Sequence, residues 1–280
     1  MKNFKGKIIR HPDGKAGEYS YIAADAWFGC SNDCTYCYLK KGFLGRMFTN
    51  PPHLKAGIKD NNHAFELFKI DVEKIGIETL QKYGIFLNFE SDPFLKETKP
   101  FTQRVVQFCC ENKIPLKLLT KSADWVFDNS FPAHWGKGGD ECINEMKKYV
   151  AIGYTLTGRD DLEPNASTNA ERIEAMSKLH EAGFKTWASI EPVIDFESSY
   201  EMVIRTNDFC DLYKIGLESG KKYKKPEVYD FVDKTLSYAA LFFNDNEKIY
   251  FKDRLLKQAG INREDLPSNC VTRDYNMFNE

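Results

Sequence analysis

The sequence lacks several features that would assign it to a common class of protein. Its 280 residues contain no apolar run that approaches the length of a membrane span, so we expect no membrane partner. Residues 1–7 lack the apolar core of a secretory signal, which favours a cytoplasmic protein. The net charge of −2 offers no broad excess of basic residues for coating nucleic acid. With 42% hydrophobic and 29% charged residues, the composition is typical of a soluble globular protein.

Three cysteines stand out among the eight in the chain. Cys30, Cys34 and Cys37 follow an apolar, aromatic run and are spaced Cys-x₃-Cys-x₂-Cys, with no fourth cysteine nearby. Cysteine thiolate is the usual ligand of iron–sulfur clusters, so a short loop with three thiols can occupy three corners of a cube. Such a cube keeps one iron open for a substrate or cofactor.

Two other interpretations of these thiols stay open. Three close cysteines and a distant fourth could form a structural zinc site, or the thiols could be unrelated residues of a reducing cytosol. Cys109 and Cys110 have the spacing of buried residues on a helix. The remaining cysteines have no ligand-like spacing, and a second cluster is therefore not expected: Cys142, Cys210 and Cys270.

Apolar strand patterns alternate with helical patterns along most of the chain, which predicts an α/β fold with a parallel sheet. The predicted strands are 20–25, 84–89, 115–120, 149–156, 184–190, 211–216 and the short 248–251. The predicted helices include 35–47, 63–83, one capped by Thr168 and Glu171, and one near 226–242. Because no Gly-x-Gly-x-x-Gly turn is present, a complete or partial barrel fits better than a doubly wound sheet. The predicted organisation is a lead-in at 1–18, a barrel at 19–252 and a tail at 253–280.

Polar residues follow the predicted strands at the point where each strand ends. Examples are Glu90-Ser91-Asp92 after the second strand and Lys121-Ser122 after the third. Active sites of parallel barrels lie at the carboxyl ends of the strands. We therefore expect these side chains to lie beside the cysteine loop.

The cysteine motif, down to Tyr36 before the last cysteine, resembles that of the radical S-adenosylmethionine (SAM) enzymes. Three further segments are similar to the spore photoproduct lyase-like (DNA repair photolyase-like) branch of that superfamily: 90–94, 119–122 and 162–185. The resemblance runs from about residue 21 to residue 216. It implies a partial (β/α)₆ barrel of the TIM type.

The resemblance also implies cofactors and roles. A [4Fe–4S] cluster and SAM would be bound, and SAM would be cleaved reductively to a 5′-deoxyadenosyl radical that abstracts hydrogen from a substrate. An electron donor such as flavodoxin or ferredoxin would reduce the cluster. The implied cluster ligands are Cys30, Cys34 and Cys37. The implied SAM contacts are Tyr36, Ser91, Lys121 and Thr155. The implied catalytic residues are Tyr38, as a radical relay, and Glu191, which ends the fifth strand.

One departure from the branch concerns the region after the second strand. The lyases carry a cysteine there, just before the Ser-Asp pair, that returns hydrogen to the product radical, and residues 88–92 of this chain contain none. We therefore do not expect repair of spore photoproduct itself. The substrate stays open between a nucleic-acid base or nucleotide and a peptide or small metabolite, beside the non-enzymatic alternative of a zinc-stabilised binding protein. The run 221–225 mixes lysines with a tyrosine, as single-strand binders do, although such runs are usually solvated loops.

Overall fold

The computed structural model describes residues 4–12, 14–128 and 139–278, which build one large sheet with helices around it. Within these ranges the strands are β1 (Ile9–Arg10), β2 (Ala23–Ala24), β3 (Trp27–Phe28), β4 (His53–Leu54), β5 (Ile85–Leu87), β6 (Leu116–Thr120), β7 (Val150–Thr155), β8 (Lys185–Val193), β9 (Leu212–Leu217) and β10 (Lys248–Phe251). The α-helices are α1 (Gly42–Gly45), α2 (Asn61–Ile75), α3 (Ile77–Tyr83), α4 (Lys99–Glu111), α5 (Asp124–Phe127), α6 (Gly139–Tyr149), α7 (Asn169–Glu181), α8 (Phe196–Thr206), α9 (Lys225–Phe242) and α10 (Asp253–Ala259).

The large sheet has eight strands in the order β1-β2-β5-β6-β7-β8-β9-β10. The seven strands from β2 to β10 pair in parallel, and β1 is added antiparallel to β2. All residues of β7 and β9 are buried, as expected for strands covered on both faces. The predicted α/β fold is confirmed, and its mostly parallel sheet is compatible with a partial barrel.

All seven predicted strands of the parallel sheet are present, whereas two predicted helices differ in extent. The segment 63–83 forms two helices, because Gly76 between them has a φ of +86° that a right-handed helix cannot contain. The segment 35–47 holds a short 3₁₀ turn and the four-residue α1, separated by Lys41, and α1 begins at Gly42 with a φ of +59°. The predicted capping box is present: Thr168 and Glu171 bond reciprocally at the start of α7.

Residues beyond the predicted barrel pack into the same fold. In α10, Leu255, Leu256 and Ala259 are buried, and Met277 packs in a cluster with Tyr19 and Trp187. The division into lead-in, barrel and tail stays a prediction. Within the described residues, no helix is both long and apolar enough to cross a membrane.

Candidate active site

A cavity of about 330 Å³ opens at the carboxyl ends of the parallel strands, beside the cysteine loop. The nine side chains to which the family resemblance assigns a role all line this one cavity: Cys30, Cys34, Tyr36, Cys37, Tyr38, Ser91, Lys121, Thr155 and Glu191. They come from the cysteine loop and from the ends of β5, β6, β7 and β8. The expected convergence of polar strand ends beside the three thiols is therefore present.

The cysteine loop is held in place by main-chain contacts at its start. Gly29 donates its N–H to the carbonyl of Glu90, and Cys30 donates to the carbonyl of Thr49. Gly29 has a φ of +96°, and a Cβ at this position would lie 2.4 Å from the Thr49 carbonyl oxygen. A glycine is required here for both reasons.

The carboxylate of Asp92 joins the cysteine loop to two strand ends. Its Oδ2 accepts from Asn32 Nδ2 at 2.9 Å and from the Lys121 N–H at 2.8 Å. Its Oδ1 accepts from Thr120 Oγ1 at 2.7 Å and from the Phe94 N–H at 2.9 Å. Asp92 is buried, so these four donors have little other opportunity for hydrogen bonding. This residue was noted in the sequence as part of a polar segment, but its structural role was not predicted.

A second buried network supports the motif tyrosine. The Tyr36 hydroxyl donates to Glu163, which forms an ion pair with the fully buried Arg172. Arg172 also donates to the main-chain carbonyl of Thr155 at 2.6 Å. The chain of contacts thus ties the cysteine loop to the end of β7. Glu163 and Arg172 lie in the segment that carries the family resemblance, yet neither was predicted as part of the site.

Burial dominates the electrostatics of the cysteine loop, and the Lys121 ammonium opposes its effect. Burial raises the pKa of the Cys30 and Cys34 thiols, and the Lys121 ammonium acts in the opposite direction on both. Burial lowers the pKa of Lys121, but the thiolate of Cys34 and the carboxylate of Glu163 outweigh it and leave that pKa above its usual value. The Lys121 Nζ also lies 5.6 Å from the centre of the Tyr36 ring. The structure therefore places a lysine that favours thiolates at the cysteine loop.

The donor set is of the kind that an iron–sulfur cube takes. The three motif cysteines are free thiols on one cavity wall. Nowhere in the described residues do three or more His, Cys, Asp or Glu side chains converge in a way that could hold one metal ion. A zinc site needs its ligands to converge on one point, whereas a cube takes one thiolate at each of three separate irons.

Polar groups without partners line the same cavity. Ser91 Oγ and both polar atoms of the Asn88 side chain are buried and, within the described residues, have no hydrogen-bond partner. Buried polar atoms in this state are costly unless a ligand or water satisfies them. The end of β5 therefore presents one hydroxyl and one amide for a polar ligand. Ser91 was predicted to contact SAM, whereas Asn88 was not singled out.

The half of the cavity at β8, β9 and β10 carries a different set of groups. Glu191 forms an ion pair with Lys252 at 2.8 Å and accepts a hydrogen bond from the Tyr19 hydroxyl at 2.5 Å. Tyr19 Oη and Ser189 Oγ are 2.7 Å apart. Tyr19 and Lys252 were not predicted. The rule that polar residues follow the strands would have found Lys252 had it been extended to β10, since Lys252 directly follows that strand.

The two tyrosines that flank Cys37 have different environments. Tyr36 is held by the buried Glu163, whereas Tyr38 is 48% exposed and donates to the main-chain carbonyl of Phe89. Phe89 in turn stacks on Phe86 at 4.2 Å between ring centres. Both aromatic rings line the cavity.

Comparison with solved structures assigns the fold. A spore photoproduct lyase variant with bound AdoMet and dinucleoside spore photoproduct superposes with a TM-score of 0.59, covering 83% of this chain and 77% of that one at 13% identity. A second spore photoproduct lyase variant gives a TM-score of 0.62 and covers 90% and 81% at 14% identity. The chain has the spore photoproduct lyase fold. The resemblance to radical SAM enzymes stated from the sequence is therefore confirmed at the level of the fold.

Two further similarities extend this comparison. SuiB of Streptococcus suis, bound to S-adenosylmethionine, superposes with a TM-score of 0.53 at 13% identity, covering 84% of this chain and 51% of SuiB. An uncharacterised protein of Methanocaldococcus jannaschii is 23% identical over 231 residues, 76% of this chain and 79% of that protein. No protein-family model matches the chain.

Proposed function

We propose that this protein is a radical SAM enzyme whose cluster is held by Cys30, Cys34 and Cys37. When bound, the [4Fe–4S] cluster and SAM supply a 5′-deoxyadenosyl radical that abstracts hydrogen from the substrate. The observation that carries the proposal is the convergence of three free thiols, a cation and unpartnered polar groups on one cavity. The similarity of the fold to enzymes solved with AdoMet supports it.

The chain's own residues have separate tasks in this proposal. Lys121 meets the carboxylate of SAM, because its ammonium lies in the cavity near the thiols. The Ser91 hydroxyl accepts a hydrogen bond from the amino group of SAM or binds its ribose, and the Asn88 side chain offers an amide beside it. Tyr36 packs near the adenine, and Thr155 closes the SAM site at the end of β7. The cofactors supply the chemistry, and these residues supply orientation and exclusion of water.

The substrate class we propose is a nucleic-acid base or nucleotide. The neighbours solved with a dinucleoside substrate match this chain over 77–79% of their own length, whereas SuiB matches over about half of its length. Peptide modification is the second candidate, because SuiB was solved with its precursor peptide. The lysine run gives little further support: Tyr223 donates to the Val193 carbonyl at 2.8 Å and packs on Phe196, so its ring is no free stacking platform.

The proposed electron donor is a flavodoxin or a ferredoxin, since the cluster must be reduced to its low-potential state. Protein reconstituted and reduced under anaerobic conditions should cleave SAM slowly to 5′-deoxyadenosine and methionine without substrate. Failure to form either product in the presence of an intact, reduced cluster would contradict the proposal.

A binding experiment separates the two substrate classes. A fluorescently labelled single-stranded oligonucleotide should bind with an affinity that falls as salt rises, because phosphate contacts release counterions. A peptide of matched negative charge is the control. DNA that contains spore photoproduct should not be repaired efficiently, because Phe89 and Glu90 stand where a hydrogen-donating thiol would be needed.

A further inference from the structure

The described residues that line the cavity provide no thiol besides those proposed to bind the cluster. Among the described residues, its lining includes Cys30, Cys34 and Cys37 but no other cysteine. Cys109, Cys110 and Cys210 are buried elsewhere in the core. If the proposed function holds, a substrate radical either receives hydrogen from another kind of group or receives none.

Phenols are the remaining groups with a weak bond to hydrogen. The serine and threonine hydroxyls of the cavity hold hydrogen too strongly to give it to a carbon radical, whereas a tyrosine O–H is weaker than most C–H bonds. Three tyrosines line the cavity, namely Tyr19, Tyr36 and Tyr38. Tyr36 donates to the buried Glu163, and Tyr38 donates to a main-chain carbonyl that cannot hold an extra proton.

Tyr19 is the cavity tyrosine whose hydroxyl meets a carboxylate in the half of the cavity at β8, β9 and β10, away from the proposed SAM contacts Tyr36, Ser91 and Lys121. It is 9% exposed and donates to Glu191 at 2.5 Å, while Ser189 lies on the other side of its oxygen at 2.7 Å. Glu191 is in turn paired with Lys252 at 2.8 Å. A proton can therefore reach the Tyr19 oxygen from Glu191 without movement of the ring.

The surroundings of Tyr19 favour the loss of a neutral hydrogen atom. Lys252 Nζ lies 4.3 Å from the centre of the Tyr19 ring, and its charge is paired with that of Glu191. Burial, together with the neighbouring Glu191 carboxylate, raises the pKa of Tyr19 well above its usual value. The charged phenolate is thus disfavoured in this buried position, and we expect the electron and the proton to leave together.

We propose that Tyr19 gives a hydrogen atom to the radical in this cavity, with Glu191 as the residue that returns its proton. The inference rests on the proposed function. The Tyr19 O–H bond breaks and a C–H bond forms on the substrate radical, which leaves a neutral tyrosyl radical. One electron from the flavodoxin or ferredoxin class of donor and one proton from solvent through Glu191 restore the phenol.

The test needs no identified substrate. Reduced, cluster-loaded protein is incubated with SAM in D₂O, where phenol hydrogens exchange and carbon-bound hydrogens do not. Without substrate, the radical formed from SAM takes deuterium from Tyr19, so 5′-deoxyadenosine should gain one deuterium, detected by mass spectrometry. Tyr19→Phe should lower the monodeuterated fraction at least fivefold while it keeps its cluster and its SAM affinity. A tyrosyl radical signal in freeze-quenched EPR samples should disappear in the same variant.

Tyr250→Phe is the matched control, because Tyr250 is also buried and donates to a carboxylate, Glu18 at 3.0 Å, but does not line the cavity. It should leave the deuterium content unchanged. Undeuterated 5′-deoxyadenosine from the wild type, or deuterium retained by Tyr19→Phe and lost in Tyr38→Phe, would overturn the assignment of Tyr19 alone. If no 5′-deoxyadenosine forms at all, the proposed function fails and this inference falls with it.

Discussion

Asp92 offers the sharpest test of how the site is built, because one carboxylate joins the cysteine loop to β6. Asp92→Ala leaves four donors without their acceptor: Asn32 Nδ2, Thr120 Oγ1 and the N–H groups of Phe94 and Lys121. A hydrogen bond to a charged group contributes about 1.5–3 kcal/mol. Such bonds are not additive, and water from the adjoining cavity recovers part of the loss. We therefore expect the free energy of unfolding to fall by about 3–5 kcal/mol.

The assay is anaerobic urea unfolding of the iron-free protein, followed by circular dichroism, so that the result does not depend on the cluster. In Asp92→Asn the free energy of unfolding should fall by about half as much, because the amide oxygen still accepts two of the four hydrogen bonds. Asp161→Asn is the control, since that carboxylate is 61% exposed in its pair with Arg159, and no change is expected. A loss below about 1 kcal/mol in Asp92→Ala would refute the role of Asp92 as the connection between loop and strands.

Three further predictions concern other charged side chains. Lys121→Met should weaken SAM binding by about 1.5–3 kcal/mol in calorimetry, which is the contribution of a charged hydrogen bond. An unchanged affinity would mean that Lys121 does not contact SAM. Glu163→Gln should lower the free energy of unfolding by about 2–4 kcal/mol, because Arg172 is left buried without a counter-charge; urea titration at neutral pH measures this, and a neutral effect would count against the network. Burial lowers the pKa of Lys117 to about 8. Between that pH and about 10.4, the pKa of an unfolded lysine, the folded state binds fewer protons than the unfolded state. The free energy of unfolding therefore rises as the pH rises across this window. Lys117→Met should therefore be more stable at pH 7 by about 2–3 kcal/mol and show a flatter pH profile; a less stable variant would contradict the assigned burial cost.

Much of the architecture could be predicted from the sequence because strand and helix periods alternate over most of the chain. The strands β5 to β10 lie within two or three residues of their predicted bounds, since each is an apolar run between turn residues. The rule that polar groups follow barrel strands predicted that Ser91 and Lys121 lie beside the cysteine loop, and both line one cavity with its three thiols. Glycines with positive φ, such as Gly76, divided helices that periodicity alone had joined.

The groups that could not be predicted act through contacts between distant segments. Tyr19 precedes the first parallel strand and meets Glu191 across the sheet, 172 positions later. Arg172 belongs to a helix whose pattern indicates only a buried face, and its pairing with Glu163 depends on the loop between them. Asn88 has no distinguishing pattern at all, and its unpartnered amide is visible only in the folded cavity.

The measurement that tests the central claim most directly is iron and sulfide analysis of anaerobically reconstituted protein. We predict about four irons and four sulfides per chain, with loss of the cluster when Cys30, Cys34 or Cys37 is changed to Ala. Cys109→Ala is the control, since Cys109 is buried in α4 away from the cavity. Zinc without sulfide in the purified protein, or a cluster that depends on Cys109 as strongly as on the three motif cysteines, would contradict the account.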